Sequence, residues 1–290
     1  MKDIKATAVL GAGTMGAGIA QVFATAGLDV ALFDITEEFA LAGLKRIQSD
    51  LNQGVERGKV TTSERDATLA RIRPVWQLSS AAEQADLVVE AAPERLELKT
   101  QIFADLSPHL LAHAVLATNT SSISIDKLAA GLAFPERFVG MHFFNPPPRM
   151  PLLEIVRGSK TDPDVVSGIR DFAVSLGKQP IVVSDAPGFA SSRLGLALGL
   201  EAMRMVEEGV ASAADIDTAM TLGYRHPMGP LQLTDLIGLD VRLDIAQYLA
   251  EHLDDTRFAP PQILIDHVSA GRLGAKSGQG FYTWKDGKTI

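Results

Sequence analysis

One N-terminal stretch constrains the fold of this chain more than any other. "ATAVLGAGTMGAG" (6–18) is an apolar run that ends in G-x-G-x-x-G at Gly11, Gly13 and Gly16, then continues as a helical pattern over 14–26. A second apolar run, "DVALFD" (29–34), closes on Asp34. Alone the glycine pattern is weak. Between a strand and a helix, with an acid ending the next strand, it is the dinucleotide fingerprint of a βαβ unit. Gly11 permits the tight turn, Gly13 lets the backbone approach a pyrophosphate at the helix N-terminus, and Gly16 lets helix and strand pack closely. Asp34 is suited to accept hydrogen bonds from adenosine ribose hydroxyls. Its charge repels a 2′-phosphate, so NAD is expected rather than NADP. The plainer alternative is a glycine-rich turn in an α/β domain that binds nothing.

Further apolar runs at 87–94, 114–121, 136–144, 152–156 and 180–185 alternate with helical patterns. This alternation predicts an α/β fold with a mostly parallel, Rossmann-like sheet over residues 1–185. Within it, 37–72 shows no strand pattern and reads as a helical insertion of two charged helices with a turn at Gly58. Beyond "SDAPGF" the texture changes, and 190–253 carries helix signals only. An all-helical C-terminal domain is therefore expected over 186–290. Ser212, Pro230 and Pro261 are its expected helix starts. The helix around Leu194–Val206 is apolar on too many sides for an isolated small domain, so a homodimer through this domain is expected.

Composition narrows the function classes. Hydrophobic residues make up 46 % of the 290, enough for a sizeable core. A net charge of −8 argues against a broad cationic surface for nucleic acid. Cysteine is absent, which excludes disulfides, thiolate metal sites and a cysteine nucleophile. The remaining histidines show no metal spacing, and no metal is expected. No apolar run reaches the roughly 18 residues of a membrane span. The chain enters a strand-like run at once, so no leader and a cytoplasmic location are expected.

Two stretches carry candidate chemistry. "ATNTSSISI" (117–125) lies where a central strand ends, the crevice side of an open α/β sheet. Asn119, Ser121 and Ser122 can hydrogen-bond cofactor or substrate there, while Ser122 or Ser124 caps the helix that follows. "GMHFFNPPPRMPLLEIV" (140–156) separates a lone imidazole, His142, from a lone carboxylate, Glu154, by three consecutive prolines. A helix is excluded, so the linker is expected to be a rigid extended loop between two strands whose ends approach. Side by side, Glu154 would fix the tautomer of His142 and leave its other nitrogen as a general base. The alternative is a buried structural histidine beside an edge glutamate. In "APGFASSRL" (186–194), Ser191, Ser192 and Arg193 can cap the long helix or face the crevice between domains, and the local pattern favours capping. "GAKSGQGFYTW" (274–284) reads as a C-terminal loop tied down by Phe281, Tyr282 and Trp284.

With these stretches in hand, the chain closely resembles the L-3-hydroxyacyl-CoA dehydrogenases, and among them the single-function bacterial 3-hydroxybutyryl-CoA dehydrogenases. "GAGTMGAGIA", "DLVVEAAPE", "NTSSISI", "MHFFNPPPRMPLLEIV", "APGFASSRL" and "DIDTAMTLGYRHPMGPLQLTDLIGLD" occur in the family's order and spacing over nearly the whole chain. The resemblance implies hydride transfer from C3 of an acyl-CoA to NAD, a reaction of fatty acid metabolism. It implies that His142 and Glu154 are the catalytic pair and that Ser121 hydrogen-bonds the reacting oxygen. It also implies that Asn145 lies near nicotinamide and substrate, and that Glu94 and Lys99 contact the cofactor. The helical domain would form a homodimer and close over the acyl-CoA. Where many members carry asparagine in G-F-x-x-N-R, this chain has Ser192, a shorter group that would reach substrate differently. Lys45, Arg46, Arg57 and Lys59 are the candidates for CoA phosphates. Two other readings stay open: a related dehydrogenase of a free hydroxy or sugar acid, and a non-catalytic, crystallin-like NAD-binding protein.

Overall fold

The computed structural model describes residues 3–253 and 256–290, and the chain divides into two compact units, Met1–Asp185 and Ala186–Ile290. The first is an eight-stranded sheet with helices. Its strands are β1 (Ala6–Leu10), β2 (Asp29–Phe33), β3 (Ile72–Val75), β4 (Leu87–Glu90), β5 (Val115–Thr118), β6 (Phe138–Phe143), β7 (Leu152–Arg157) and β8 (Gln179–Ser184). Its helices are α1 (Thr14–Thr25), α2 (Glu37–Glu56), α3 (Thr62–Ala70), α4 (Leu78–Ala82), α5 (Leu96–Leu106), α6 (Ile125–Ala129) and α7 (Pro163–Ser175).

The strand order is β3-β2-β1-β4-β5-β6-β7-β8, and every neighbouring pair is parallel except β6 with β7. Strands β4, β5 and β6 are buried at every position. Helices on both faces demand continuous apolar runs of this kind. Chain order reverses between β1 and β4, so the crevice for a ligand opens beyond their C-terminal ends. Phe23, Ile19, Val89 and Met141 lie in the core that holds α1 on the sheet.

Two details of this unit differ from the sequence expectation. The expected insertion runs to 72, yet Ile72 opens β3, an edge strand with Pro74 opposite Leu32. Proline breaks the apolar pattern but is tolerated at an edge, where its missing N–H costs no ladder bond. The triple-proline linker is not extended. The Arg149 and Met150 amides both donate to the Pro146 carbonyl at 3.0 and 3.1 Å, and the segment turns. An antiparallel β6–β7 pair requires that reversal. The turn is held by Lys178, whose Nζ donates to the carbonyls of Pro147 and Met150 at 2.6 and 2.9 Å.

The second unit contains α8 (Ser191–Glu207), α9 (Ala213–Thr218), α10 (Pro230–Ile237), α11 (Leu239–Leu253) and α12 (Gln262–Ser269). It is helical apart from a closing hairpin of β9 (Trp284–Lys285) and β10 (Lys288–Thr289). Leu196, Leu200, Met203, Leu231, Leu249 and Leu264 form its core. Ser212 caps α9 and Pro230 opens α10, as their positions predict. Ser191 and Ser192 do not cap α8. Ala190 holds the N-cap position, and the two serines begin the helix. Pro261 is the N-cap residue of α12 rather than its first helical residue.

Two buried aspartates fasten the C-terminal tail. Asp235 accepts from the amides of Phe281 and Tyr282 and from the Trp284 indole, each at 2.9 Å. Asp217 accepts from the first amides of α10 and from the Tyr282 hydroxyl at 2.8 Å. Among the described residues no helix is long and apolar enough to cross a membrane.

Candidate active site

The turn from β1 to α1 has the shape a pyrophosphate needs. Gly11 sits at φ +101°, a conformation that excludes a side chain. A Cβ on Gly16 would lie 1.7 Å from the Gly11 carbonyl oxygen, so the turn closes only over glycine. Gly13 is the opposite case: a Cβ there would meet nothing within 4 Å. Packing does not explain glycine at that position, whereas close approach of a ligand does. Gly13 is also the N-cap of α1 and offers no side chain to the helix amides, which leaves that end suited to an anion. Asp34 lies just past β2. Its Oδ2 accepts from the Ala12 amide and its Oδ1 from the Ile35 amide, both at 2.8 Å. The carboxylate is thereby fixed beside the glycine turn. Arg46 of α2 reaches the same turn and donates to the Ala12 carbonyl at 3.1 Å. These residues fit a dinucleotide, with the pyrophosphate over Gly13 and the adenosine ribose at Asp34.

Further along the strand ends, Asn119, Ser121, His142 and Asn145 line one cavity of about 340 Å³ with Met15, Glu94 and Phe144. His142 and Glu154 occupy directly paired positions in the antiparallel β6–β7 register. Directly opposed residues project to the same face of a sheet. Nδ1 of His142 lies 2.7 Å from Oε2 of Glu154. Glu154 is fully buried and His142 is 7 % exposed. A carboxylate at Nδ1 holds the ring and favours its protonated form, an arrangement suited to acid–base chemistry at Nε2. Phe144 packs against the imidazole, ring centroids 4.6 Å apart. Asn119 braces the floor, its Oδ1 accepting from the Phe143 amide at 2.8 Å.

Ser121 is held by Glu94. One carboxylate oxygen, Oε1, accepts from the amides of Ser121 and Ser122 at 2.9 and 3.1 Å and from the Thr120 hydroxyl. Burial alone would raise the pKa of Glu94. The nearby Lys99 ammonium and the Thr120, Ser121 and Ser122 donors outweigh it, and the carboxyl sits below its ordinary range. Lys99 is not placed as a direct cofactor contact. Only 1 % exposed, its ammonium lies 2.6 Å from Glu90, 3.4 Å from Glu94 and 3.2 Å from the Ala92 carbonyl. With those three acceptors in reach its hydrogen-bonding capacity is used inside the protein. The residue positions Glu94 from beneath.

Glu90 was not singled out from the sequence. It ends the buried strand β4, is fully buried, and bonds Lys99, the Thr118 hydroxyl and the Ala92 amide. Burial pushes its pKa up against the opposing pull of Lys99. The signal was visible as a single acid closing "DLVVE", but its partner stands nine residues later on α5, where only the fold directs it inward. Arg57 and Lys59 line a separate hollow of about 620 Å³ with Arg71 and Arg149, bounded by α1, α2 and α3. Arg149 is also paired with Asp50 at 3.0 Å. Ser192 belongs to the second unit, on the first turn of α8.

A nucleotide-binding turn after β1 and a His–Glu pair on β6 and β7 of the same open α/β sheet define a dinucleotide-dependent oxidoreductase. Comparison with known proteins makes this specific: the chain belongs to the 3-hydroxyacyl-CoA dehydrogenase family. Residues 6–186 match the family's NAD binding domain and residues 188–284 its C-terminal domain. A probable 3-hydroxybutyryl-CoA dehydrogenase of Bacillus subtilis is 43 % identical, over 98 % of this chain and 99 % of its own length. A 3-hydroxyadipyl-CoA dehydrogenase of Escherichia coli is 44 % identical over 98 % of this chain, which spans 60 % of that longer relative. The crystal structure of (S)-3-hydroxybutyryl-CoA dehydrogenase PaaH1 from Ralstonia eutropha superimposes with a TM-score of 0.94 at 38 % identity, covering 98 % of this chain and all of that one.

Proposed function

We propose that this protein interconverts a short-chain L-3-hydroxyacyl-CoA and its 3-ketoacyl-CoA, with NAD as cofactor and His142 as the acid–base group. The observation that carries the reading is the 2.7 Å His142–Glu154 contact between paired strands, in a residue that lines the same cavity as Ser121. Bound NAD supplies the hydride acceptor. His142 takes the C3 hydroxyl proton at Nε2, and in the reverse direction returns it to the ketone oxygen. Glu154 holds the ring and stabilises its charged form. The Ser121 hydroxyl orients the reacting oxygen, while Asn119 and Asn145 shape the wall against which nicotinamide and substrate meet. Glu94, supported by Lys99, keeps the Ser121 turn in place.

The CoA phosphates are assigned to Arg57 and Lys59, whose hollow gathers cationic side chains in a chain of net charge −8. Ser192 on α8 is the proposed substrate contact of the second unit. A homodimer through that unit is supported by Leu233, Leu236 and Ile237 on α10 and Val241 on α11, all exposed in the single chain. A single species of monomer mass in light scattering, well above micromolar concentration, would refute the dimer.

The activity is tested by following NADH consumption with acetoacetyl-CoA and with free acetoacetate. Turnover of the thioester well above that of the free acid is expected. The reverse preference would favour a hydroxy-acid dehydrogenase. Absence of turnover with both, in protein that binds NADH, would mean a non-catalytic nucleotide-binding protein.

A further inference from the structure

A buried lysine holds the turn that carries one wall of the cavity. Lys178, the residue before β8, is 8 % exposed and makes no ion pair among the described residues. Burial pushes its pKa below the ordinary lysine value, and no carboxylate offsets that cost. Its ammonium uses two of its three donors on the carbonyls of Pro147 and Met150, at 2.6 and 2.9 Å. The turn needs a donor from outside. Pro146, Pro147, Pro148 and Pro151 carry no N–H, so the segment has few amides with which to close on itself.

Both sides of this clamp are fixed. The Lys178 amide donates to the Ala173 carbonyl in the last turn of α7 at 3.0 Å, and the Gln179 amide donates to the Pro151 carbonyl at 2.8 Å. Opposite, Pro147 is buried against α1, where a Cβ on Gly18 would lie 2.7 Å from its Cδ. The turn is therefore set between the helix of the nucleotide-binding turn and a lysine rooted in the sheet. Asn145 begins the turn and lines the cavity with His142 and Ser121. Among the described residues its side-chain amide makes no hydrogen bond, so its placement depends on the backbone of the turn.

We propose that Lys178 is a positioning residue for the reaction: by clamping the Pro147 and Met150 carbonyls it sets Asn145 against nicotinamide and substrate. The inference rests on the reading above in which Asn145 forms that wall. A lysine that merely held the β6–β7 hairpin together would act on the His142–Glu154 pair instead, and the two roles are separable by experiment.

The test is a double-substitution cycle in the reduction of acetoacetyl-CoA, with active sites counted by NADH titration so that misfolded protein does not enter kcat. Lys178→Met keeps the length of the side chain and removes its donors. It should lower kcat by roughly tenfold to a hundredfold, the effect of a misplacement on the order of 1 Å. The pH limb that follows His142 should stay in place. Lys178→Arg keeps the donors and should recover much of the loss. Lys178→Gln, shorter and uncharged, replaces Lys178→Met in the cycle if that variant does not fold. Asn145→Ala should be slow by itself, and adding the Lys178 substitution should slow it little further, because the clamp then has no amide to place. Wild-type kcat in both Lys178→Met and Lys178→Gln, or losses that multiply in the double variant, would overturn the assignment. So would a shift of the pH limb in Lys178→Met, since the lysine would then act on the His142–Glu154 pair. Wild-type kcat and KM in Asn145→Ala would refute the wall itself, and absence of turnover in the wild type would refute the activity.

Discussion

Replacing Glu154 with glutamine preserves the shape of its side chain and deletes only the charge, and the expected loss can be worked from the geometry. The carboxylate oxygen lies 2.7 Å from Nδ1 of His142, and Glu154 is fully buried. The centres of the two charges are then about 4 Å apart, and at an effective dielectric constant near 20 they attract by about 4 kcal/mol. A transition state with the imidazole about half protonated realises roughly 2 kcal/mol of that, or about thirtyfold in kcat. His142→Gln removes the acid–base group itself and should lower kcat by roughly 10²–10⁴. The double substitution should be no slower than His142→Gln alone, because the carboxylate has nothing left to support. The assay is steady-state reduction of acetoacetyl-CoA at saturating NADH, with NADH affinity measured separately and expected to be near wild type. Multiplying losses in the double variant would refute the pairing as the source of the effect. Wild-type turnover in His142→Gln would place the chemistry elsewhere.

The glycine turn separates folding from binding. Gly13→Ala should melt near the wild type, since its Cβ meets nothing within 4 Å, yet bind NADH weakly. Gly16→Ala should be strongly destabilised by its clash with the Gly11 carbonyl, and equal melting of the two variants would contradict this. Asp34 should favour NADH over NADPH by at least about tenfold, a like-charge penalty of roughly 1–3 kcal/mol. Equal kcat/KM for the two cofactors would remove that role. Glu94 has a lowered folded-state pKa, so its contribution to stability is fully present above about 4.5, its ordinary value, and is lost as pH falls through the folded value. Urea melts of wild type and Glu94→Gln should therefore converge in acid, and a gap independent of pH would show that the charge is not the stabilising feature.

The parts of the molecule legible in the sequence are those governed by local chemistry. Gly11, Gly13 and Gly16 between a strand and a helix can build one kind of turn, and Asp34 at the next strand end marks the ribose side. Ser124, Ser212 and Pro230 announce the helix starts they make. His142 and Glu154 stand out because each is a lone polar group in an apolar run around prolines that forbid a helix.

What local chemistry does not specify is which strands become neighbours and in which register. Only the antiparallel β6–β7 pairing sets His142 directly against Glu154; a slip of one residue would send the two side chains to opposite faces. The turn of the proline segment follows from that pairing, not from proline, which alone favours an extended path. The chain from buried Glu90 and Lys99 to the more exposed Glu94 also depends on packing. Lysine and glutamate on a helix and a strand end read as surface residues until the fold turns them inward.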